Sequence, residues 1–150
     1  MNEVARAANV GIATLYRHFP TRDALAEAVY QAKVDELTER VRRSTGEADA
    51  LTALDTWARE FAQLMLGTRG MMDTFRSAWA SGAVAQAGVT GHIAEVIGSF
   101  IEAGRVDGTL RGDSDPVDAT VGVLALLSTT PPDGTGDRAL RLVSLFVRAL

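Results

Sequence analysis

Apolar residues recur at steps of three and four along almost the whole chain, and no segment sustains an alternation of apolar and polar residues. Steps of three and four place side chains on one face of an α-helix, whereas a half-buried strand has a period of two. The chain has 150 residues, of which 47% are hydrophobic, which is enough to bury a core of its own. The pattern predicts an all-α fold.

Capping residues and helix breakers divide this pattern into segments. Thr21 is a good N-cap for a long helix that ends at 44–46, and Asp115 followed by Pro116 is a typical helix start. Pro131 and Pro132 lie in the clearest loop, at 130–134. The predicted helices after residue 20 cover about 21–43, 49–66, 71–79, 93–104, 116–128 and 137–150.

The first twenty residues indicate two short helices joined by a tight turn at Asn9. Asn tolerates the left-handed backbone conformation of such a turn better than most other non-glycine residues. Pro20 prevents the second helix from continuing. In a helix-turn-helix the second helix enters the major groove of DNA, so its outward side chains are available to bases and phosphates. The residues expected to face inward are Val4, Ala5, Ala8, Val10, Ile12, Leu15 and Phe19.

The segment from Val4 to Leu25 resembles the DNA-binding signature of the TetR family, above all in the run Thr-Leu-Tyr-x-His-Phe at 14–19. Two positions depart from the family's pattern. Asn9 stands where the family usually has the turn glycine, and Gly11 stands where it usually has Ser or Thr after the valine of the turn. The resemblance implies base reading by Gly11, Ala13, Thr14 and Arg17, and contacts to DNA phosphates by Tyr16, His18, Thr21 and Arg22.

Family members normally carry a further helix before this motif, and Met1 falls within what corresponds to their second helix. We therefore expect a partial TetR-type DNA-binding domain at 1–43, with its first helix missing, and a ligand-binding and dimerisation domain at 44–150. The resemblance implies a repressor that binds a palindromic operator in double-stranded DNA as a homodimer. A small apolar or aromatic effector would release it. The alternative is a helical ligand-binding or dimerisation module that has lost DNA binding.

Aromatic and methionine side chains are concentrated on three successive predicted helices in the middle of the chain. They are either ordinary core or the lining of a cavity for an apolar or aromatic effector, since apolar clefts between helices are common ligand sites and Met makes a lining adaptable. The family resemblance favours the cavity. The predicted pocket residues are Trp57, Phe61, Met65, Met72, Phe75, Trp79 and Phe100.

The last two predicted helices are apolar on more than one face, which exceeds the single stripe that a surface helix buries. A two-fold four-helix interface explains the excess and would hold two recognition helices at the spacing that a palindromic operator requires. The alternative is a fully buried helix pair inside a monomer. The residues predicted to form the dimer interface are Val121, Leu124, Leu142, Val143, Phe146 and Leu150.

Other classes of function find little support in the composition. The chain has no cysteine and only two histidines, so we expect no disulfide, no metal site and no cofactor. No nucleophile stands at a recognisable spacing from a histidine and a carboxylate, and we expect no enzyme activity. The longest apolar run is far shorter than the roughly 18 residues of a membrane span, which favours a cytoplasmic protein. The net charge is −4, yet residues 1–43 carry a slight positive excess, a weak indication that the front of the chain meets an anion.

Overall fold

The computed structural model describes residues 1–67, 88–111, 113–130 and 136–150, and in these ranges it contains only helices. The all-α prediction is therefore confirmed. The predicted helix at 71–79 and most of the predicted loop at 130–134 lie outside the described residues. No helix of the described ranges is long and apolar enough to cross a membrane. The helices are α1 (Asn2–Ala7), α2 (Ile12–His18), α3 (Arg22–Thr45), α4 (Ala50–Gly67), α5 (Gly88–Asp107), α6 (Pro116–Thr129) and α7 (Asp137–Val147).

Side-chain caps set the starts of three helices, as the sequence predicts for two of them. The Thr21 hydroxyl oxygen accepts a hydrogen bond of 3.0 Å from the Ala24 amide at the start of α3. One Asp115 carboxylate oxygen accepts bonds of 2.7 and 3.1 Å from the first free amides of α6. Asp49 caps α4 by accepting from the Thr52 amide at 2.8 Å. Each cap satisfies amides that have no partner inside their own helix.

The end of α5 supplies a second cap to α4. The Ala50 amide donates to the Asp107 carboxylate at 2.8 Å, and the Leu51 amide donates to the Thr109 hydroxyl at 3.3 Å. The Thr109 hydroxyl also donates to Asp107, and these hydrogen bonds lower the pKa of the Asp107 carboxyl, the one from Thr109 contributing most. The start of α4 is thus fixed by residues almost sixty positions later in the chain.

The chain divides into two compact units, the N-terminal unit Met1–Lys33 and the C-terminal unit Val34–Leu150. Helix α3 contributes residues to both. In the C-terminal unit, α4 packs against α5 and α7, α5 packs against α6, and α6 packs against α7. The largest side chains of its core are almost fully buried, and they include Leu37, Leu54, Trp57, Phe61, Met65, Ile93, Ile97 and Leu124.

Two glycines allow close packing in this unit. A Cβ placed on Gly122 of α6 would lie 2.3 Å from Cζ of Phe146 on α7. A Cβ on Gly104 of α5 would lie 2.5 to 2.7 Å from three side-chain carbons of Leu110. Real Cβ atoms do not approach other heavy atoms so closely, because two carbon atoms repel each other strongly at such distances. A side chain at either position would force its neighbour to move, and at Gly104 the close atoms include Cβ of Leu110, which a change of rotamer cannot move away.

Candidate nucleic-acid interface and effector site

The turn between α1 and α2 has the geometry of a Schellman motif centred on Asn9. The backbone of Asn9 is left-handed, with φ of 53°, as the sequence predicts. Its amide donates to the Arg6 carbonyl at 3.2 Å, and the Val10 amide donates to the Ala5 carbonyl at 2.9 Å. These two bonds are the 5→2 and 6→1 pairs that define the motif. They end α1 sharply and allow α2 to start at an angle to it.

Helix α2 presents the predicted DNA-contacting residues on its surface. Gly11, with φ of −66° and ψ of 140°, is its N-cap, and the body of the helix runs from Ile12 to His18. Leu15 is buried at 6% exposure and anchors the helix to its unit. The predicted base-reading residues Gly11, Ala13 and Arg17 are exposed, and Thr14 is half-buried.

The predicted phosphate ligands lie on α2 and at the start of α3. Tyr16, His18, Thr21 and Arg22 are all exposed. The Thr21 oxygen accepts the capping bond from Ala24, which leaves its hydroxyl hydrogen free to donate to a phosphate. Among the described residues, the side chains of Tyr16, Arg17, His18 and Arg22 make no hydrogen bond or ion pair, so they can bind an outside partner.

Several residues predicted to face inward are exposed instead. Val4 and Val10 are each 42% exposed, Ile12 is 40% exposed, and Ala8 is also exposed. The prediction was wrong for these four and holds fully for Ala5 and Leu15, whereas Phe19 is half-buried. The physical reason is size, because α1 and α2 have only six and seven residues and offer too few side chains to cover one another.

Comparison with known proteins identifies the family. Residues 1–29 match the family model described as bacterial regulatory proteins, tetR family. The crystal structure of a TetR transcriptional regulator from Streptomyces coelicolor is similar to the chain, with 31% sequence identity and a TM-score of 0.63, over 99% of this chain and 85% of that one. This chain belongs to the TetR family. No curated protein sequence matches it.

The C-terminal unit of this TetR-family regulator contains a buried aromatic cluster. Trp57 stacks on Phe61 with ring centroids 5.0 Å apart, and Phe100 lies 6.3 Å from Trp57 at a tilt of 46°. Met65 follows Phe61 by about one turn of α4 and is buried at 1% exposure. These four are predicted pocket residues. The other three, Met72, Phe75 and Trp79, lie outside the described residues, so the pocket as a whole stays a prediction.

Helix α3 of the regulator is tied to this cluster by two side chains. The Trp57 indole nitrogen donates to the Thr38 hydroxyl at 2.9 Å, and Thr38 in turn donates to the Val34 carbonyl at 2.7 Å. The Arg42 guanidinium lies 5.9 Å from the Phe100 ring centroid, over its face, and donates to the Ser99 hydroxyl at 3.0 Å. Thr38 is not among the site residues predicted from the sequence, although a polar residue on the same face as Val34, Leu37 and Val41 is a recognisable sign of a buried hydrogen bond.

Further polar contacts join α3 to its neighbours in the C-terminal unit. His92 of α5 lies 2.7 Å from the Asp35 carboxylate, and Arg40 pairs with Glu60 of α4 at 2.8 Å. His92 is one of the two histidines of the chain, and this contact with Asp35 gives it a partner on α3. The part of α3 in this unit is therefore attached to both α4 and α5.

An open groove of about 320 Å³ borders the aromatic cluster. Phe100 and Arg42 form part of its wall, and Ala50, Ala53 and Ala103 form another part. The small alanines leave one side of Phe100 reachable from the surface. The cluster is buried, yet its edge is accessible at this groove.

The residues predicted for the dimer interface fall into two groups. Leu124 and Val143 are 1% and 0% exposed and belong to the core of the protomer. Val121, Leu142, Phe146 and Leu150 are half-buried on α6, α7 and the residues that follow α7. The exposed face of these helices also carries Val117, at 43% exposure, and Leu145, at 67%. The second group is the part of the predicted interface that a partner could reach.

Proposed function

We propose that this protein is a transcriptional repressor that binds a palindromic operator as a homodimer and is released by a small apolar or aromatic effector. The observation that carries the proposal is the left-handed Asn9 turn, which joins the short helix α1 to the exposed helix α2. That arrangement is the one in which a helix-turn-helix presents its second helix to the major groove. Membership of the TetR family gives the arrangement its context.

The predicted DNA-contacting residues of α2 and of the start of α3 divide by chemistry into two roles. Arg17 carries five donors in a fixed fork and would read a guanine edge, with Thr14 and the small Gly11 and Ala13 close to the bases. Arg22, at the start of α3, would hold a phosphate together with the Thr21 hydroxyl, because helix N-termini attract anions. Contacts to bases give sequence specificity. Contacts to phosphates position the protein on the duplex and make the affinity depend on salt concentration.

The DNA-binding test uses purified protein and duplexes selected from a random library, with affinity measured by fluorescence anisotropy at several salt concentrations. Arg17→Ala should weaken the free energy of binding to the selected duplex by about 1–3 kcal/mol and relax the sequence preference at one base pair. Arg22→Ala should weaken binding to all duplexes alike. It should also lower, by about one, the steepness with which log K falls as the logarithm of the salt concentration rises. The control is Arg43→Ala, an exposed arginine in the last turn of α3, which should change neither. Equal losses in all three variants, or no binding by the unchanged protein, would contradict the assignment.

The homodimer is supported by apolar side chains that α6 and α7 leave at the surface. Leu145 and Val117 are exposed, and half-buried Val121, Leu142 and Phe146 on the same two helices extend the apolar area. A two-fold contact would bury the same face on both copies. It would also set two recognition helices at a fixed spacing.

Sedimentation velocity tests the dimer with a matched pair of variants. Leu145→Glu should shift the protein to the monomer, since a charge would be buried in the contact. The control is Val106→Glu, at an even more exposed position on α5, 74% in the protomer, which should sediment as the unchanged protein does. If Leu145→Glu remains a dimer, the α6–α7 face is not the contact.

Effector control is supported by the attachment of α3 to the aromatic cluster. Thr38 and Arg42 connect α3 to Trp57 and Phe100, so a ligand that displaces these rings would act directly on α3. Because α3 also contributes residues to the N-terminal unit, a shift in it can alter the DNA-binding head. An effector changes operator affinity only if it binds the two states with different affinity.

A gel shift with the selected duplex tests this coupling. Candidate apolar and aromatic compounds are first screened for binding by calorimetry, and those that bind are then added to the protein–DNA complex. The proposal expects release of DNA at concentrations near the dissociation constant of the compound. Trp57→Phe removes the hydrogen bond to Thr38. It should reduce the release of DNA by the compound more than it reduces the affinity for DNA measured without the compound. A compound that binds the protein and leaves the complex intact would contradict the mechanism.

The second candidate function is a ligand-binding or dimerisation module without DNA binding. The observation in its favour is the exposure of Val4, Val10 and Ile12, which leaves the N-terminal unit with a small core. Hydrogen exchange of the α2 amides separates the two candidates. Protection of Leu15 and its neighbours would support a formed recognition helix, whereas exchange at the rate of an unfolded peptide would favour the module.

A further inference from the structure

Thr90, near the start of α5, has a buried hydroxyl without a partner. The residue is 2% exposed, and its oxygen is the single buried side-chain polar atom of the described residues that makes no hydrogen bond. The other two buried threonines differ from it, since Thr38 bonds to Val34 and Trp57, and Thr120 donates to the Pro116 carbonyl. Buried polar groups in proteins are almost always satisfied, and an exception requires an explanation such as a missing ligand.

The position of Thr90 follows from the way α4 and α5 pack. The two helices are antiparallel, because the start of α4 bonds to Asp107 at the end of α5, and Trp57 lies against Phe100 further along. Continuing this register places Ile93 level with residue 64 and Thr90 one turn beyond, level with Gly67 at the end of α4. Along the paired helices α4 and α5, Thr90 therefore lies past Phe61 and Met65, in the direction that leads from the aromatic cluster to the end of α4.

The large buried side chains next along the two helices are apolar. Thr90 shares the buried face of α5 with Ile93 and Ile97, which are 0% and 1% exposed, and the facing stretch of α4 carries Phe61 and Met65, each 1% exposed. A single hydroxyl among such side chains is the composition of a small-molecule site, in which a few polar groups orient an apolar ligand. An unpaired hydroxyl in a dry core contributes nothing to stability, whereas valine would have the same shape at lower cost.

We infer that the Thr90 hydroxyl is the polar anchor of the effector site and that the effector is an apolar or aromatic body with one hydroxyl or carbonyl group. The inference rests on the proposed effector function and specifies its ligand class. A threonine hydroxyl both donates and accepts, so either group can bond to it. The site then selects for the polar group, since a ligand without it leaves the buried hydroxyl unpaired.

The test compares two probes of nearly equal shape, 1-naphthol and 1-methylnaphthalene, by calorimetric titration of the full chain. The unchanged protein should bind the naphthol about tenfold more tightly. In Thr90→Val this preference should disappear, while Thr90→Ser, which keeps the hydroxyl, should retain it. The matched control is Thr120→Val, which removes a buried hydroxyl that already has a partner and should leave the preference as it is.

Stability gives an independent readout. Ligand-free Thr90→Val should melt at or above the temperature of the unchanged protein, because it removes an unpaired group, whereas Thr120→Val should melt below it. If both probes bind and Thr90→Val keeps the preference for naphthol, the role of Thr90 is refuted and the cavity stands. If neither probe binds the unchanged protein, the effector cavity of the proposed function fails, and this inference fails with it.

Discussion

The hydrogen bond between Trp57 and Thr38 gives a sharp test of how α3 is held. Thr38→Val keeps the shape of the side chain and removes the acceptor of the indole N–H, which is fully buried and bonded at 2.9 Å. A buried donor left without a partner costs about 1–3 kcal/mol. For a domain of this size such a loss lowers the melting temperature by about 2–4 °C per kcal/mol. The Val34 carbonyl loses its bond from Thr38 but lies within a helix, so it adds little to this cost.

Urea unfolding followed by circular dichroism, at one fixed protein concentration, measures the effect. The control is Thr56→Val on α4, whose hydroxyl donates only to the Thr52 carbonyl of its own helix and should change stability by less than about 0.5 kcal/mol. In a Trp57→Phe background, Thr38→Val should cost much less than in the unchanged protein, because the donor is already gone. If Thr38→Val is as mild as the control, or costs the same in both backgrounds, the bond does not hold α3 in the way described.

Substitutions at three further positions have definite expected outcomes. Asn9→Gly should stabilise the turn and Asn9→Val should destabilise the protein by about 1–2 kcal/mol, since the backbone there is left-handed; thermal melts of both variants check this. Gly104→Ala should lower the free energy of unfolding by about 1–2 kcal/mol despite its better helix propensity, because the new methyl overlaps buried Leu110; a urea titration that shows a gain would contradict it. The pKa of Asp107 is lowered on folding, so its contribution to the free energy of unfolding is fully present above the unfolded pKa and is lost as the pH falls through the folded pKa. When stability is measured against pH in acid, the free energy of unfolding should therefore decline less steeply in Asp107→Asn than in the unchanged protein. Identical curves would exclude this role.

Local signals in the sequence predicted the helices well. The left-handed Asn9, the Thr21 cap and the Asp115–Pro116 start depend on neighbours within three or four positions, and all three are confirmed. The end of α3 near residue 45 is also close to its prediction, because Gly46 takes a positive φ that other residues avoid. Such features follow from the backbone and need no knowledge of the rest of the fold.

Contacts between distant segments could not be predicted in the same way. Asp107 caps a helix that begins at Ala50, and nothing near either residue announces the pair. Burial was equally hard to assign, since periodicity shows that Val10 and Val143 lie on apolar faces but not what covers them. Val10 is exposed because its unit is small, and Val143 is core because α4 and α6 both pack against α7. The family resemblance supplied the roles of the α2 residues, which remain predictions for experiment.

Helix α3 has a consequence for anyone who builds chimeric regulators from this chain. Its 24 residues pass through the boundary at Lys33 without interruption, so a graft made there joins two halves of one helix. One inserted residue would turn the donor part by about 100° around the helix axis, whereas seven would return it to within about 20° of its first orientation. Junctions at this boundary should therefore be chosen in whole heptads, because an insertion of one or two residues changes the phase of the helix that follows it.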